Sequence, residues 1–503
     1  MEQITGLIFG FSIALAWENI FYCFLGTLVG TLVGVLPGLG PAATVALLLP
    51  ITFKLPPVSA IIMLAGIFYG AMYGGSTTSI LLNIPGEAAS VVTCIDGHQM
   101  ALQGRAGPAL AIAAIGSFVA GTIAIIGLNF LAPPLAEFAI RFGPPEYFVL
   151  TLFGLFLAAY LAGTSIVKGF IMVVIGLLLD EIGMDPIMGV PRFTYGILPL
   201  QEGLDFIPLA MGLFGIAEIL VNTEQGLKTE IVTHKIGRLF ITLDEWAKAK
   251  WATIRGSILG FLVGILPGGG AVVASLISYA VEKRISNRPE EFGKGAIQGV
   301  AGPEAANNSA AIGSFIPLMT LGIPGNATIA MIFAALLIHG VQPGPYLIKE
   351  NPEIFWGVIA SMYIGNAFLL FLNLPLIRIW LQVLRIPYYI LAPFILLICM
   401  AGVYSTRSNV FDIWIMLIFG LIGYLFRKFE FEPGPLILAF VLGSILERTF
   451  RQSLLMSKGS PIIFFSRPVA CGLMIVFLTL IILQIAFIIK GKTERLTKFR
   501  GKG

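Results

Sequence analysis

Apolar residues in this chain fall in long unbroken runs, not in the stripes of amphipathic helices. Charge-free stretches cover residues 19–53, 55–86, 106–136, 147–167, 256–281, 354–377, 386–406 and 468–489. A helix needs about 20 apolar residues to cross the hydrocarbon core, and each of these runs is long enough. Several could hold two crossings or a re-entrant hairpin. Further apolar segments near 206–222, 413–426 and 433–446 read as additional spans. The pattern predicts an all-α integral membrane protein with about twelve transmembrane helices.

Two of the runs repeat. Residues 26–40 read GTLVGTLVGVLPGLG and residues 256–270 read GSILGFLVGILPGGG, with Gly26, Gly30 and Gly34 matching Gly256, Gly260 and Gly264 at an offset of 230. A second landmark follows each copy: Ile84-Pro85-Gly86 answers Ile323-Pro324-Gly325 at an offset of 239. Proline removes a backbone donor and glycine admits conformations that other residues resist, so each helix should break at its Pro-Gly. Two homologous halves, each with interrupted apolar segments, are the pattern of a secondary transporter built from structural repeats.

The polar intervals divide the chain and orient it. Residues 1–222 read as a first membrane repeat and 256–489 as a second repeat with additional spans. Between them, residues 223–255 form the longest polar stretch, with an amphipathic helix expected over Ile241–Trp251. Its Lys228, Lys235, Arg238, Lys248, Lys250 and Arg255 outnumber its acids, which places it in the cytoplasm by the positive-inside rule. The basic tail, 490–503, reads the same way, and Glu2 and Glu18 without any Lys or Arg in residues 1–18 suggest an N-terminus outside. The loop at 282–294 carries Lys283, Arg284, Arg288 and Lys294, whereas its first-half counterpart carries only Lys54. That asymmetry is expected if the two halves insert in opposite orientations.

Composition narrows the classes. Only 12% of the residues are charged and 57% are hydrophobic, against about 25% charge in a soluble domain. The net charge of +4 sits in loops and speaks to topology, not to nucleic acid. MEQITGLIFG lacks the basic start of a signal peptide, so no cleaved leader is expected. Cys23, Cys94, Cys399 and Cys471 lie far apart and read as small buried hydrophobes. The scattered His98, His234 and His339 make no metal constellation. Absent H-E-x-x-H, G-x-S-x-G and Walker sequences, nothing suggests a hydrolase or an ATPase, and no cofactor is expected.

Chemistry is then expected at the breaks, because unwound backbone survives in a membrane only when buried in protein or lining a wet cavity. Exposed helix N-termini suit an anion, and exposed carbonyls suit a small cation. The nearest polar side chains are Ser76, Thr77, Thr78, Ser79 and Asn83 in the first half. In the second half they are Asn307, Asn308, Ser309, Ser314, Thr320, Asn326 and Thr328. The competing reading is that such small residues only let helices pack closely. Substrate is expected at Ser76, Thr77, Thr78, Asn83, Pro85, Gly86, Asn307, Asn308, Ser309, Pro324 and Gly325, and a coupling ion at Gly38, Ser79, Gly268, Thr320 and Glu304. Glu304 fits either loop capping or ion coupling. Glu87, directly after Pro-Gly, reads as a helix cap, and Glu218 as a structural or snorkelling residue with a proton relay as the alternative. No arginine clamp is apparent in this set.

The motifs together resemble a known family. They are GVLPGLGPAATVALLLP at 34–50, YGAMYGGSTTSILLNIPGEAAS at 69–90, DGHQMALQGRAGPAL at 96–110, GMDPIMGVPRFTYG at 183–196, PEAANNSAAIGSFIPLMTLGIPGNAT at 303–328 and HGVQPGPYL at 339–347. In these the chain resembles the large membrane subunit of the tripartite tricarboxylate transporters. The resemblance implies a cation-coupled importer of citrate-like carboxylates in a bacterial inner membrane. It implies two partners as well, a small four-span membrane subunit and a periplasmic solute-binding protein. Hydroxyl and amide ligands favour Na⁺ as the coupling ion, while Glu304 keeps H⁺ open. Two other classes stand beside this one: a carrier or channel working without a binding protein, and an intramembrane enzyme. The enzyme's only plausible carboxylates, Asp180, Glu218 and Glu304, form no spaced pair.

Overall fold

A computed structural model describes residues 2–36, 40–161, 165–185, 187–225, 238–268, 270–383 and 388–500. The first half comprises α1 (Glu2–Ala14), α2 (Trp17–Val35), α3 (Pro41–Thr52), α4 (Pro57–Leu82), α5 (Val91–Leu102) and α6 (Ala106–Ala139). It continues with α7 (Pro144–Leu161), α8 (Ile166–Asp180), a two-stranded hairpin of β1 (Gly183–Met184) and β2 (Pro191–Arg192), and α9 (Phe206–Glu224). The second half comprises α10 (Leu243–Ile265), α11 (Gly270–Ile285), α12 (Gln298–Gly313), α13 (Phe315–Leu321), α14 (Ala327–Ile338) and α15 (Pro352–Asn373). It ends with α16 (Tyr388–Arg407), α17 (Val410–Lys428), α18 (Gly434–Met456) and α19 (Pro468–Arg500). Among the described residues, eight helices are long and apolar enough to cross a membrane, with four shorter apolar helices beside them. The protein is an all-α, multi-pass membrane protein.

The repeated glycines make matching contacts. Helix α2 lies against α4 through Gly26, Gly30 and Gly34, which meet the carbonyl oxygens of Met63, Ile67 and Ala71. Helix α10 lies against α12 through Gly256, Gly260 and Gly264, which meet the carbonyl oxygens of Gly302, Ala306 and Ala310. The glycines are separated by the offset of 230, and the carbonyls they touch by the offset of 239. The same glycine-on-backbone contact is thus made twice, by equivalent residues. Within this matched pair, α4 is continuous, but its counterpart is interrupted at Ser314, between α12 and α13.

Burial follows composition. Helix α4 is hidden over 94% of its most apolar window, and its small residues leave room for neighbours on every side. Helix α16 is buried over only 11% of its window and turns large side chains such as Phe394 and Leu397 outward, as lipid contact allows. The amphipathic stretch expected at Ile241–Trp251 is the opening of the longer helix α10 rather than a separate interfacial helix. Thr242 and Glu245 form a reciprocal capping box there, which starts the helix in the polar segment and lets it continue into the apolar run.

All four expected interruptions occur. Helix α2 ends at Val35 and α3 starts at Pro41, while α10 ends at Ile265 and α11 starts at Gly270. Helix α4 ends on Asn83 in the left-handed conformation, and α13 ends on Gly322 in the same conformation. Gly38, an expected ion ligand, lies outside the described residues.

The β1–β2 hairpin carries exposed apolar side chains and is held by a charge cluster. Arg192 pairs with Glu181 and Asp185, and reaches Glu447 on α18 at 2.9 Å. The backbone N–H groups of Met188 and Ile187, with the Arg192 and Arg451 guanidiniums, hold the Asp185 carboxyl well below the usual carboxylate range. Its stabilising contribution is therefore complete at neutral pH and is lost only as the pH falls through that lowered value. Arg192→Ala is expected to make the hairpin roughly tenfold more sensitive to limited proteolysis at neutral pH. The parent hairpin should stay resistant down to about pH 5. Equal cleavage of parent and variant at neutral pH would count against the clasp.

Candidate functional site

The four interruptions meet at one cavity of about 550 Å³. Gly40 and Pro41 line it from the first break, and Pro85 and Gly86 from the second. Gly268 and Gly270 line it from the third, and Gly325 and Asn326 from the fourth. Two of these segments touch directly: the Gly268 N–H donates to the Gly325 carbonyl at 2.7 Å. Gly268 holds φ at +78°, a conformation that disfavours any side chain.

Four helices begin at this cavity. Pro41 of α3, Gly270 of α11, Ala327 of α14 and Gly434 of α18 are all in its wall. The first turn of a helix has N–H groups without intrahelical partners and carries the positive end of the helix dipole. On α14, Asn326 takes up one such group, accepting from Ile329 N–H at 3.0 Å. On α3 the N-cap is Gly40, which has no side chain to offer. Helix N-termini of this kind are suited to an anion.

The charged groups in the wall are Glu87, Glu218, Glu432 and Arg427. Arg427, on α17, pairs with Glu218 at 2.9 Å, and its Nε–H has no hydrogen-bond partner among the described residues. Glu218 follows a π-helical segment of α9, Met211–Ile216, whose wider turn precedes Glu218; Phe214 of that segment also lines the cavity. Three carboxyl groups and one guanidinium thus face the cavity. The positive potential an organic anion requires has to come from the helix ends, from Arg427 and from any cation that enters with it.

Beside the cavity lies a buried polar network that ties the halves together. Glu87 caps the short turn Ala88–Ser90, accepting from Ala89 N–H at 2.6 Å, as its position after Pro-Gly suggested. It also accepts from the Asn307 amide at 3.0 Å. Glu304 sits inside α12, not in a loop, and is fully buried. It accepts from Ser76 at 2.5 Å and from Thr93. Asn308 donates to Ser117 of α6 at 2.7 Å. Helix α12 of the second half is thereby bonded to α4, α5 and α6 of the first. Among the described residues, no group of three or more His, Cys, Asp or Glu is placed to hold a metal.

The structure sorts the residues expected from sequence. Pro85, Gly86, Gly268 and Gly325 line the cavity, as do Asn326 and Thr328. Pro324 is buried in the adjoining turn. Thr78 donates to the Val35 carbonyl at 2.7 Å, satisfying an orphan acceptor at the end of α2. Ser79 bonds Gly75 and Ser90, Ser309 bonds the Ser257 carbonyl at 2.6 Å, and Asn83 is an exposed helix cap. Ser314 and Thr320 bond back to carbonyls of their own turns. Ser76 and Thr77 border a separate small void. The reading that no arginine faces the site is corrected by Arg427. In the sequence it stands beside Lys428 at a helix end, the ordinary place for basic residues, and only the fold turns it inward.

Comparison with known proteins decides the family. The model described as the tripartite tricarboxylate transporter TctA family matches residues 20–438. The chain belongs to that family. It is similar to a 52.8 kDa protein in the TAR-I ttuC′ 3′ region of Agrobacterium vitis, at 49% identity over 495 residues, covering 98% of this chain and 99% of that one. It is also similar to a protein in the TAR-II ttuC′ 3′ region of the same organism, at 47% identity over 236 residues, covering 47% of this chain and 98% of that one. No solved structure matches. The TctA-family match extends from α2 into α18 and so includes all four interruptions and the cavity between them.

Proposed function

We propose that this TctA-family chain is the large permease subunit of a binding-protein-dependent secondary transporter in a bacterial inner membrane. Its substrates are citrate-like di- and tricarboxylates, and its driving force is a cation gradient, with Na⁺ as the ion. A small four-span membrane subunit and a periplasmic solute-binding protein complete the system. The observation that carries this reading is the meeting of four repeat-related helix breaks, four helix N-termini and Arg427 at one cavity. Helix N-termini and a guanidinium bind carboxylates. The carboxyl groups in the same wall, where ionised, disfavour an anion that arrives alone, which supports its co-transport with cations. Two repeats packed by the same glycine contacts supply the parts that alternating access requires.

The test is uptake into proteoliposomes holding this chain with its small-subunit partner. The binding protein is added outside, and labelled citrate is compared with a panel of other carboxylates. Uptake should require an inward Na⁺ gradient and the binding protein. Uptake driven by a pH gradient alone would replace Na⁺ by H⁺. Failure of every carboxylate under both gradients would overturn the substrate class.

A further inference from the structure

A second and much smaller void lies between α4, α6 and α15. It measures about 10 Å³, room for one water-sized particle. Its polar lining is Tyr73, Ser76 and Thr77 from α4, Ser117 from α6 and Asn373 from α15. The Asn373 side-chain carbonyl is buried without a hydrogen-bond partner among the described residues, its amide N–H₂ being used on the Leu369 carbonyl at 2.9 Å. Beside the void, the Asn308 carbonyl is likewise buried and unpartnered, while its N–H₂ serves Ser117 and the Glu304 backbone. Two of the nearby hydroxyl donors are committed, while those of Thr77 and Ser117 have no acceptor among the described residues. Tyr73 donates to Asn366 at 2.6 Å, and Ser76 to Glu304 at 2.5 Å.

A small void ringed by hydroxyl oxygens and an unpartnered carbonyl is the kind of surroundings that a hard cation takes. Charge points the same way. Glu304 is fully buried, and among the described residues no basic side chain pairs with it. A buried carboxyl group either keeps a proton or takes a countercharge, and the void lies one hydroxyl away, across Ser76. A single water would satisfy the Asn373 carbonyl but would bring Glu304 no countercharge. We propose that this void is the binding site of one dehydrated Na⁺, held by oxygens of Ser76, Thr77, Ser117 and Asn373 with Glu304 as its countercharge. Its purpose, coupling, rests on the symport reading above. Its existence as a site does not.

The site differs from the ion ligands expected from sequence. Of those, Glu304 alone belongs to it, while Ser79 and Thr320 are bonded elsewhere and Gly268 faces the large cavity. Because the void touches α4, α6 and α15, and Ser76 links it to Glu304 on α12, an ion there would act on the network joining the two halves.

The experiment is equilibrium binding of ²²Na⁺ to the purified full-length chain in detergent, with choline as the reference cation and no carboxylate present. Saturable binding is expected. Thr77→Val and Asn373→Leu should weaken it at least roughly tenfold, which is the effect of losing one of a few ligands. Thr77→Ser, which keeps the hydroxyl, should restore it. Glu304→Gln should abolish it. Elution profiles and melting in choline keep misfolded variants out of the comparison. Absence of Na⁺ binding by the parent would overturn the proposal and leave the void to a water or Glu304 to a proton. Na⁺ binding that Thr77→Val and Asn373→Leu leave unchanged would overturn it too, by placing the ion elsewhere. Na⁺ binding without any carboxylate uptake would sink the transport reading while leaving this site standing.

Discussion

Arg427→Gln is expected to lower carboxylate uptake by on the order of 100-fold, the loss that follows when one member of a charged, desolvated contact is removed. Arg427 is the one basic side chain among the described residues lining the cavity, and its Nε–H is unused. Two effects are mixed in the single variant. The substrate loses a guanidinium, and Glu218, with only 9% of its side chain exposed, loses its partner. The double variant Glu218→Gln/Arg427→Gln separates them, since it removes both charges and leaves no unpaired carboxylate. It should fold and melt like the parent and still fail to transport. If the double variant recovers parental uptake, Arg427 serves only to neutralise Glu218, and its assignment to the substrate is wrong. Arg427→Lys should recover part of the loss, because it keeps the charge but not the planar, two-point geometry that matches a carboxylate.

That prediction could not have been written from the sequence. The helix breaks were legible there because proline and glycine act locally: Pro85-Gly86, Pro267-Gly268 and Pro324-Gly325 stand within a few residues of the helix ends at Leu82, Ile265 and Leu321. The glycine stripes were legible for the same reason, as a spacing along one helix face that occurs twice. What stayed hidden depends on which distant segments meet. Ser117 and Asn373 are single polar residues inside apolar runs, and each would pass as an ordinary packing residue; only the meeting of α6 and α15 with α4 makes them neighbours. Thr78 and Ser309 show the converse. They stand in the motif stretches, yet Thr78 satisfies the end of α2 and Ser309 bonds the Ser257 carbonyl on α10. A polar motif in a membrane helix thus mixes residues that face a site with residues that only repair backbone.

The second large effect concerns the repeated packing itself. Gly30→Leu and Gly260→Leu are each expected to remove most of the properly folded protein, and to do so to a similar extent. A Cβ on Gly30 would lie 2.5 Å from the Ile67 carbonyl oxygen, and one on Gly260 would meet the Ala306 carbonyl still more closely. The obstacle in both cases is backbone, which cannot turn aside as a side chain can. The helices would have to separate along their length, opening the α2–α4 or the α10–α12 contact. Overpacking a core typically costs about 1–3 kcal/mol when side chains can adjust, and here they cannot. Alanine at either position already requires the helices to part, so Gly30→Ala and Gly260→Ala should lie between leucine and the parent. Gly472→Ala, on α19 with open space around its Cβ position, is the control and should leave stability unchanged. Yield of monodisperse protein and melting temperature in detergent measure all five. The comparison between halves carries the argument, because equivalent residues at offsets of 230 and 239 should suffer equivalently if the same contact supports both repeats. Tolerance of leucine at Gly260 alongside its rejection at Gly30 would show that the halves share a sequence pattern without sharing its structural role.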